Sequence, residues 1–306
     1  MIAALLWLLA SLLVAFAIYS YFVEPRQLRL TRRTVPVPGL PAELDGLRLA
    51  HLADLHVKGE HQRFPQEMAR RAVALVQELQ PDLICLTGDL GQGSRHVHIA
   101  TRLLQPLSSR LAFVVMGNHD HDKMMEHEFS GPPETRAGMP EWRERVTAAG
   151  FVVLHNECTT LTVRGRRVTI MGVGDPSCGW DDLDQVLPAG ASPDGDLRLL
   201  LVHSPDLVDD PRTDWADLVL CGHTHGGQVR LPGVGTIWAP VWRDRRRAAG
   251  LFAVGETLCH VTRGVSAGIR ARFLCWPEVC ELTLRRAEPT GVPRLPRYRL
   301  FQASCE

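Results

Sequence analysis

The sequence predicts an α/β fold, a sheet sandwich with helices outside, preceded by one N-terminal transmembrane helix. Three observations support this prediction. Ile2 to Val23 contains no charged side chain. Short apolar strand-like runs then alternate with helical spacing in the first half of the chain, and hairpin-like pairs follow. Polar clusters stand at the ends of these runs, where α/β folds bind ligands.

Composition limits the functions that the chain can have. Its 306 residues allow one large domain or two small ones, and the hydrophobic (45%) and charged (22%) fractions are ordinary for a globular protein with one apolar segment. Lys plus Arg equals Asp plus Glu at 34 each, so no global field indicates a nucleic-acid partner. The thirteen histidines make a metal site worth seeking. None of the eight cysteines forms a CxxC pair, and Cys85 and Cys221 lie in apolar runs, which favours reduced thiols.

The apolar segment at residues 1–23 is long enough to anchor the chain. At 1.5 Å per residue a helix from Ile2 to Val23 would span about 33 Å, enough to cross a bilayer. A cleaved signal peptide is the alternative, since Ala15-Phe16-Ala17 offers a small-residue cleavage site. The missing basic n-region and the apolar residues beyond that site favour an anchor.

Charges beside the segment predict its orientation. Arg26, Arg29, Arg32 and Arg33 follow it closely, and the positive-inside bias then places the rest of the chain in the cytoplasm, on a single-pass inner-membrane anchor. Residues 24–46, with three prolines after Thr34, are expected to be a juxtamembrane linker. We expect the catalytic domain at 47–285 and a C-terminal tail at 286–306.

The elements of the domain follow from periodicity. Alternation or short apolar runs predict strands, Met68, Ala72, Leu75 and Leu79 have helical spacing behind a proline, and Arg164-Gly165-Arg166 turns a hairpin. The predicted strands are 47–53, 82–86, 111–116, 161–163, 167–173, 197–202, 217–220, 251–254, 258–261 and 280–284. The predicted helices are 65–79, 96–107 and 141–149. Residues 123–140 are polar with Gly and Pro, which predicts a long loop of the kind that covers substrates.

Five polar clusters follow predicted strands. Each alone is weak, because Gly-Asp is a common turn and a lone histidine is by default structural. However, all five occur in order, each just after an apolar strand, and a random sequence would seldom show this. The clusters are Asp54-x-His56, Gly88-Asp89, Gly117-Asn118-His119-Asp120, His203 and Gly222-His223-x-His225.

A pair of divalent ions would explain the whole set. Two ions about 3.5–4 Å apart need a bridging carboxylate with oxygen and imidazole ligands around it. Asp89 is the natural bridge, because its two oxygens can contact both cations. A hydroxide between the ions would then be the nucleophile. The expected ligands are Asp54, His56 and His225 at one ion, and Asn118, His203 and His223 at the other.

Two further residues are expected to act in catalysis without binding metal. His119 follows a ligand immediately, so it can face the substrate and protonate the leaving oxygen or steady the phosphoryl group. Asp120 would set the tautomer of His119.

Together the motifs D-x-H, G-D, G-N-H-D, H and G-H-x-H resemble those of the calcineurin-like metallophosphoesterase superfamily. The resemblance covers about residues 47–284, with no core motif missing. It implies a four-layer α/β/β/α sandwich, a dinuclear centre of Mn, Fe, Zn or Co, and hydrolysis of phosphate esters or anhydrides. Its ligand roles fall on the residues just named.

A narrower resemblance concerns His203-Ser204-Pro205-Asp206, the G-H-T-H-G-G-Q loop, the arginine-rich stretch before Gly250 and Arg263-Gly264. With the anchor, these are similar to the membrane-associated bacterial branch typified by the YaeI and YkuE phosphodiesterases. A relative of that branch is a UDP-2,3-diacylglucosamine pyrophosphatase of lipid A synthesis. This implies a lipid-linked phosphodiester or diphosphate substrate and the membrane as partner. The stretch at 242–247 is more basic here than the branch pattern.

Alternatives remain open from the sequence. The domain could face outward and act on cell-wall phosphodiesters, or it could be a non-catalytic, metal-binding membrane scaffold, although His119 argues against the latter. The run Arg243 to Arg247 is either a solvated turn or a site for anionic headgroups or a diphosphate. His121, Asp122 and His127 are expected to lie in the lid or on the surface, and His51 to serve packing.

Overall fold

Two large β-sheets packed face to face dominate the structure. The computed structural model describes residues 2–120, 139–187, 196–241 and 244–298. Within those ranges a six-stranded and a seven-stranded sheet lie together, and a small two-stranded hairpin lies apart from both. The predicted α/β sandwich is confirmed. The predicted lid loop at 123–140 lies outside the described residues up to residue 138.

The first sheet contains most of the early strands. Its order is β1-β14-β2-β3-β4-β5. Strands β2 to β5 run parallel, whereas β14 is antiparallel to β2. The carboxyl ends of β2, β3 and β4 therefore meet at one edge. The strands are β1 (Arg29–Val37), β2 (Arg48–Leu52), β3 (Leu83–Thr87), β4 (Ala112–Val115), β5 (Val152–Val153) and β14 (Glu278–Arg286).

The second sheet comes from the later part of the chain. Its order is β15-β12-β13-β9-β8-β7-β6. Strands β7, β8 and β9 are parallel, so their carboxyl ends also meet at one edge. The strands are β6 (Glu157–Val163), β7 (Arg166–Gly172), β8 (Leu197–Leu201), β9 (Leu218–Cys221), β12 (Gly250–Val254), β13 (Thr257–Val261) and β15 (Arg294–Leu295). The separate hairpin is β10 (Arg230–Leu231) with β11 (Gly235–Thr236).

Alternating side chains build a core on each face of the first sheet. In β3, Leu83 and Cys85 face the second sheet and pack with Leu199 and its neighbours, whereas Ile84 and Leu86 face the helices. This is the period of two expected for an extended strand. Because both faces are covered, β3 is apolar from Leu83 to Leu86 and ends at Thr87.

Helices cover the outer faces unequally. The first sheet is covered by α2 (Arg63–Leu79), α3 (Val97–Leu104) and α4 (Met139–Ala148). On the second sheet the described outer layer is thinner, consisting of α5 (Leu183–Val186) and 3₁₀ turns at Pro205–Asp209 and Pro211–Trp215. The layers therefore alternate helix, sheet, sheet and helix, as the resemblance implies.

Two segments expected to lack regular structure form strands. Within the expected linker, β1 pairs in parallel with β14, and Arg32 Nε donates to Glu281 Oε2 at 2.8 Å. Within the expected tail, β15 pairs with β12. Neither strand follows from the sequence, because the partner strand supplies a pairing that no local pattern in either segment signals.

The N-terminal helix is apolar and exposed. Helix α1 (Ile2–Ile18) continues through a π-helical turn at Tyr19–Val23 and a 3₁₀ turn at Glu24–Arg26. The 25 residues from Ile2 to Arg26 are long and apolar enough to cross a membrane, and no α1 side chain is buried in the protein. A signal sequence would pass the same test.

The C-terminal end of this helical segment is bonded to the rest of the domain. Glu24 is fully buried, and its carboxylate accepts hydrogen bonds from the backbone N–H groups of Leu274 (2.9 Å) and Cys275. The backbone N–H of Arg272 donates to the Ser20 carbonyl at 2.8 Å. The helix therefore joins the domain through defined contacts rather than a free tether.

Replacement of Glu24 by alanine should destabilise the protein by about 1–3 kcal/mol, because two buried N–H groups would lose their acceptor. In detergent, thermal unfolding of the full chain should show a midpoint several degrees lower. Glu43→Ala is the control, since Glu43 forms an exposed pair with Arg166. Equal midpoints for the two variants would contradict the importance of this contact.

Candidate metal centre

The polar clusters of both sheets meet at the same edge of the sandwich. Loops after β2, β3 and β4 of the first sheet face loops after β7, β8 and β9 of the second. Ligand atoms of these loops form groups lying within 4.8 Å of one another. The groups are Asp54, His56 and His225; His56, Asp89 and His119; Asp54, Asp89 and His203; and Asp175, His203 and His223.

Asp89 lies at the centre of these groups. Its Oδ2 is 3.4 Å from His56 Nε2 and 3.2 Å from His203 Nε2, so one carboxylate oxygen faces histidines from both sheets. Its Oδ1 accepts a hydrogen bond from the backbone N–H of His119 at 2.8 Å. The position matches a carboxylate shared between neighbouring cations.

The two histidines of the Gly222–Gly227 loop face different neighbours. His225 Nε2 is 3.3 Å from His56 Nε2, and His225 Nδ1 is 4.0 Å from Asp54 Oδ2. His223 Nδ1 instead lies 3.1 Å from Asn118 Oδ1. Thus each histidine joins one of the two ligand sets that the sequence predicts.

Strained backbone marks the same residues. Asp54, His56, Asp89, His223 and His225 all have positive φ, between 46° and 70°. Non-glycine residues rarely adopt this conformation, and they persist in it where the surrounding structure imposes it. The surrounding structure therefore holds these loops in a strained backbone conformation, and this conformation positions the side chains of the candidate ligands.

Glycines allow the loops to approach this closely. A Cβ at Gly117 would overlap Asp89 Oδ1, and one at Gly264, where φ is +72°, would lie 2.6 Å from Asp54 Cβ. The Arg263-Gly264 motif is thus explained by contact with a candidate ligand.

The donor set fits divalent cations. Asp54 Oδ2, Asp89 Oδ2, His203 Nε2 and His225 Nδ1 are buried atoms that make no hydrogen bond. They lie near one another without hydrogen-bond geometry, which is the arrangement of atoms that share a cation. Carboxylate, amide and imidazole donors together suit Mn, Fe, Zn or Co.

Burial shapes the protonation of the histidines. It lowers the pKa of His56 to about 3 and that of His223 to about 4. Both rings are therefore neutral near pH 7, which is the form that binds metal. Burial raises the pKa of Asp54 to about 7, whereas His203 and other histidines hold that of Asp89 well below its usual value against the effect of burial.

His119 lies at the open side of the cluster. It is half-buried, and its ring centroid is 5.0 Å from that of His56. Its grouping with His56 and Asp89 leaves two possibilities, contact with substrate and contact with metal.

Asp120 has a different role from the one expected. Its oxygens accept hydrogen bonds from the backbone N–H groups of Gly91 (2.9 Å) and Gly117 (3.0 Å). In the described contacts it fastens two loops together rather than pairing with the His119 ring. The expectation that it sets the His119 tautomer therefore has no contact to support it.

Asp175 was missed by the sequence reasoning. It is fully buried after β7, and a carboxylate oxygen lies in one group with His203 and His223. Asp175 Oδ1 accepts from Ser177 N at 2.9 Å, while Oδ2 makes no hydrogen bond. The signal was Gly174-Asp175 behind an apolar strand, the same pattern as Gly88-Asp89.

A pocket of about 570 Å³ opens from the cluster. Asp89, His119 and His223 are among the residues at its polar end. Its walls are largely apolar and include Trp238, Pro240, Val241 and Ile269. A substrate with a phosphate and an apolar portion would match this division.

The arginine run is largely paired in the part that the structure describes. Arg246 binds the Asp244 carboxylate at 2.7 Å, and the buried Arg247 binds Asp209 at 2.9 Å. Arg245 is exposed and donates to the Ile237 carbonyl. Trp242 and Arg243 lie outside the described residues, as do His121, Asp122 and His127.

Comparison with known proteins agrees with the metal-binding site that the structure suggests. The family described as calcineurin-like phosphoesterase matches residues 47–227. The phosphodiesterase YaeI of Escherichia coli (strain K12) is 35% identical over 271 residues, covering 87% of this chain and 92% of that protein. The uncharacterized metallophosphoesterase YkuE of Bacillus subtilis is 29% identical over 273 residues, covering 87% and 89%.

A third relative has a named substrate. The UDP-2,3-diacylglucosamine pyrophosphatase LpxG of Chlamydia trachomatis is 25% identical over 317 residues, covering 86% of this chain and 91% of that protein. The family match spans more than half of the chain and includes all five strand-end clusters. This chain therefore belongs to the calcineurin-like phosphoesterase family and is a metallophosphoesterase.

Proposed function

We propose that this chain is a membrane-anchored dinuclear phosphohydrolase that cleaves a phosphodiester or diphosphate bond in a lipid-linked substrate such as UDP-2,3-diacylglucosamine. One observation supports it above the others. The pocket joins the Asp89 cluster at one end to apolar walls at Trp238 and Ile269. Such a pocket suits a molecule with phosphate at the reacting centre and an apolar tail beside it.

The ligands would divide between two ions. Asp89 would be shared, and its central position between His56 and His203 supports this assignment. The ions, when bound, would lower the pKa of the attacking water and offset charge on the phosphoryl oxygens. One ion would be held by Asp54, His56 and His225, the other by Asn118, His203 and His223.

The protein's own residues would bind and orient the phosphate. The half-buried His119 lies at the pocket surface beside Asp89, where its imidazole could donate a proton to the leaving oxygen. Asp120 would keep the His119 loop in register through its bonds to the backbone of Gly91 and Gly117.

The lipid part of the proposal is supported by a relative and by the anchor. LpxG is named for a diacylated UDP-sugar. In this chain the apolar segment at residues 2–26 would keep the pocket close to a bilayer. Each buried methylene of an acyl chain would contribute about 0.8 kcal/mol of binding.

Orientation toward the cytoplasm of the inner membrane is also a proposal. Arginines follow the apolar segment, and the described cysteines are free thiols, as suits a reducing compartment. An outward-facing cell-wall phosphodiesterase would need the opposite orientation.

The substrate class can be tested with the full chain in detergent and Mn²⁺. UDP-2,3-diacylglucosamine should be hydrolysed with a kcat/KM at least about tenfold above that of the same UDP-sugar without acyl chains, given the contribution of each buried methylene. Asp89→Ala, the control for metal-dependent turnover, should lose activity on both. Equal rates on the two substrates would refute the lipid preference, and an active Asp89→Ala would refute the shared-ligand assignment.

The role of His119 can be separated from metal binding. His119→Gln should lower kcat on bis-p-nitrophenyl phosphate by about 10²–10⁴-fold, the usual contribution of a positioned proton donor. Bound metal, counted by plasma mass spectrometry, should stay unchanged. His61→Gln, at an exposed position, is the control. A parallel loss of metal would instead make His119 a ligand.

Topology can be read from fusions to the C-terminus of the full chain. Because arginines flank the anchor on the domain side, a green fluorescent protein fusion should fluoresce and an alkaline phosphatase fusion should be inactive. The reverse pattern would place the domain outside and favour the cell-wall alternative.

A further inference from the structure

Exposed apolar side chains are concentrated around the pocket mouth. Beyond residue 23, the described large apolar residues that are exposed fall into two sets. Leu111 and Val152 lie at the β4–β5 edge of the first sheet, and the others lie in two neighbouring segments. We name this second set the apolar rim: Leu231, Val234, Ile237, Trp238 and Ile269. Trp238 is 68% and Ile269 71% exposed, although both also line the pocket. A contiguous exposed apolar surface of this kind marks an interaction site.

Hydrogen bonds hold the two segments of the rim together. The Gln228 side-chain amide donates to the carbonyls of Ile269 (2.7 Å) and Ala271 (3.0 Å). The backbone of Phe273 bonds to Gln228 on one side and to Arg230 on the other. The hairpin β10–β11, whose turn includes Val234, therefore starts directly beside residues 269–273.

Phe273, which bonds to the segment that begins the hairpin, contacts the apolar helix. The Phe273 ring packs edge-on against Phe16, with centroids 4.8 Å apart, and also approaches Tyr19. Phe16 belongs to α1, inside the segment proposed to cross the membrane. Because Phe16 lies near the domain end of that segment, Phe273 would lie at the boundary of the proposed bilayer. The rim is thus continuous with the proposed membrane-crossing surface.

Cationic side chains border the rim. Arg230, Arg245 and Arg270 form no ion pair with a carboxylate in the described structure. Arg270 stacks over Phe64 at 4.0 Å and approaches Tyr21 and Phe22 at the base of the helix. Arginines beside exposed apolar and aromatic groups match the order of a bilayer surface, where phosphate headgroups lie above the acyl chains.

We propose that the apolar rim inserts into the headgroup–acyl boundary of the bilayer, so that the pocket between Trp238 and Ile269 opens onto the membrane. The domain would then contact the membrane at a second place besides the helix, and a lipid substrate would enter without crossing water. The proposal rests on the membrane anchoring proposed above, but not on the identity of the substrate.

Depth-dependent quenching in the full chain tests this insertion. Cys158, Cys178 and Cys305 are replaced by serine, which leaves five native cysteines, all buried. A cysteine introduced at Val234 is then labelled with the fluorophore NBD. Leu111→Cys is the matched control, because Leu111 is also exposed and apolar but lies before β4, at the end of the sheet opposite to the metal centre. Both proteins are reconstituted in vesicles of phosphatidylethanolamine and phosphatidylglycerol. Labelling of the same background without an added cysteine is subtracted.

Nitroxide-bearing lipids should quench the probe at 234 several-fold more than the probe at 111, with a blue-shifted emission only at 234. Equally weak quenching at both sites would overturn the proposal. Because quenching does not depend on turnover, it tests insertion of the rim independently of the proposed substrate.

Introducing a charge into the rim provides a second test of insertion. Val234 does not line the pocket. Val234→Asp should therefore keep hydrolysis of soluble bis-p-nitrophenyl phosphate while lowering hydrolysis of vesicle-borne UDP-2,3-diacylglucosamine about twofold to fivefold, because a charge near the membrane interface costs up to about 1 kcal/mol. Leu111→Asp should affect neither. Unchanged activity of Val234→Asp on vesicles would count against insertion.

Discussion

The burial of two carboxylates at one point is the constraint from which the rest of the site follows. Asp54 is fully buried and Asp89 is 1% exposed, yet they share the same small space between the sheets. Unpaired charge in such surroundings is strongly unfavourable. Burial lowers the pKa values of His56 and His225, so those rings are neutral and cannot offset it. Burial alone would also lower the pKa of His203, but Asp89 raises it well above its usual value. Burial favours the neutral form of Asp54 and raises its pKa to about 7, so bound cations would be needed to offset the charge of both carboxylates in their ionised form.

The loops hold this arrangement by hydrogen bonds to one another, two within the first sheet and one from the second sheet to the first. Asp54 N donates to the Gly88 carbonyl at 3.1 Å, and His56 N donates to the Asp89 carbonyl at 2.9 Å. His223 N, from the second sheet, donates to Asp54 Oδ1 at 3.2 Å. Left-handed backbone at such residues costs about 1–3 kcal/mol each, and it persists only where the surroundings impose it. The parallel strands beneath provide that rigidity, since six strand ends must converge for the bonds to form.

The sequence predicts the strand ends well, because each apolar run stops at its polar cluster within a few residues. The sequence does not predict the features that depend on contacts between residues far apart in the chain. Strand β1 carries three arginines and Pro36, and only its pairing with β14 near the other end of the chain makes it a strand. His51 and His260 likewise have no local pattern, but their Nδ1 atoms meet at 3.0 Å between the sheets. The Asp120 side chain bonds to backbone because the loop folds over it, which residue spacing cannot indicate.

Arg272 shows how the helix and the metal centre become one structure. Its backbone N–H reaches Ser20 at the base of the apolar helix, while its buried guanidinium donates to the carbonyls of Arg263, Ser266, Cys275 and His225. A single residue thus links the anchor to the loop that carries a candidate ligand. Glu24 adds two bonds beside it. If the helix crosses a bilayer as proposed, the fold rather than a flexible tether would set the height of the candidate metal centre above it. Such a fixed height would suit the proposed substrate, whose phosphate would itself lie at the headgroup level of a lipid.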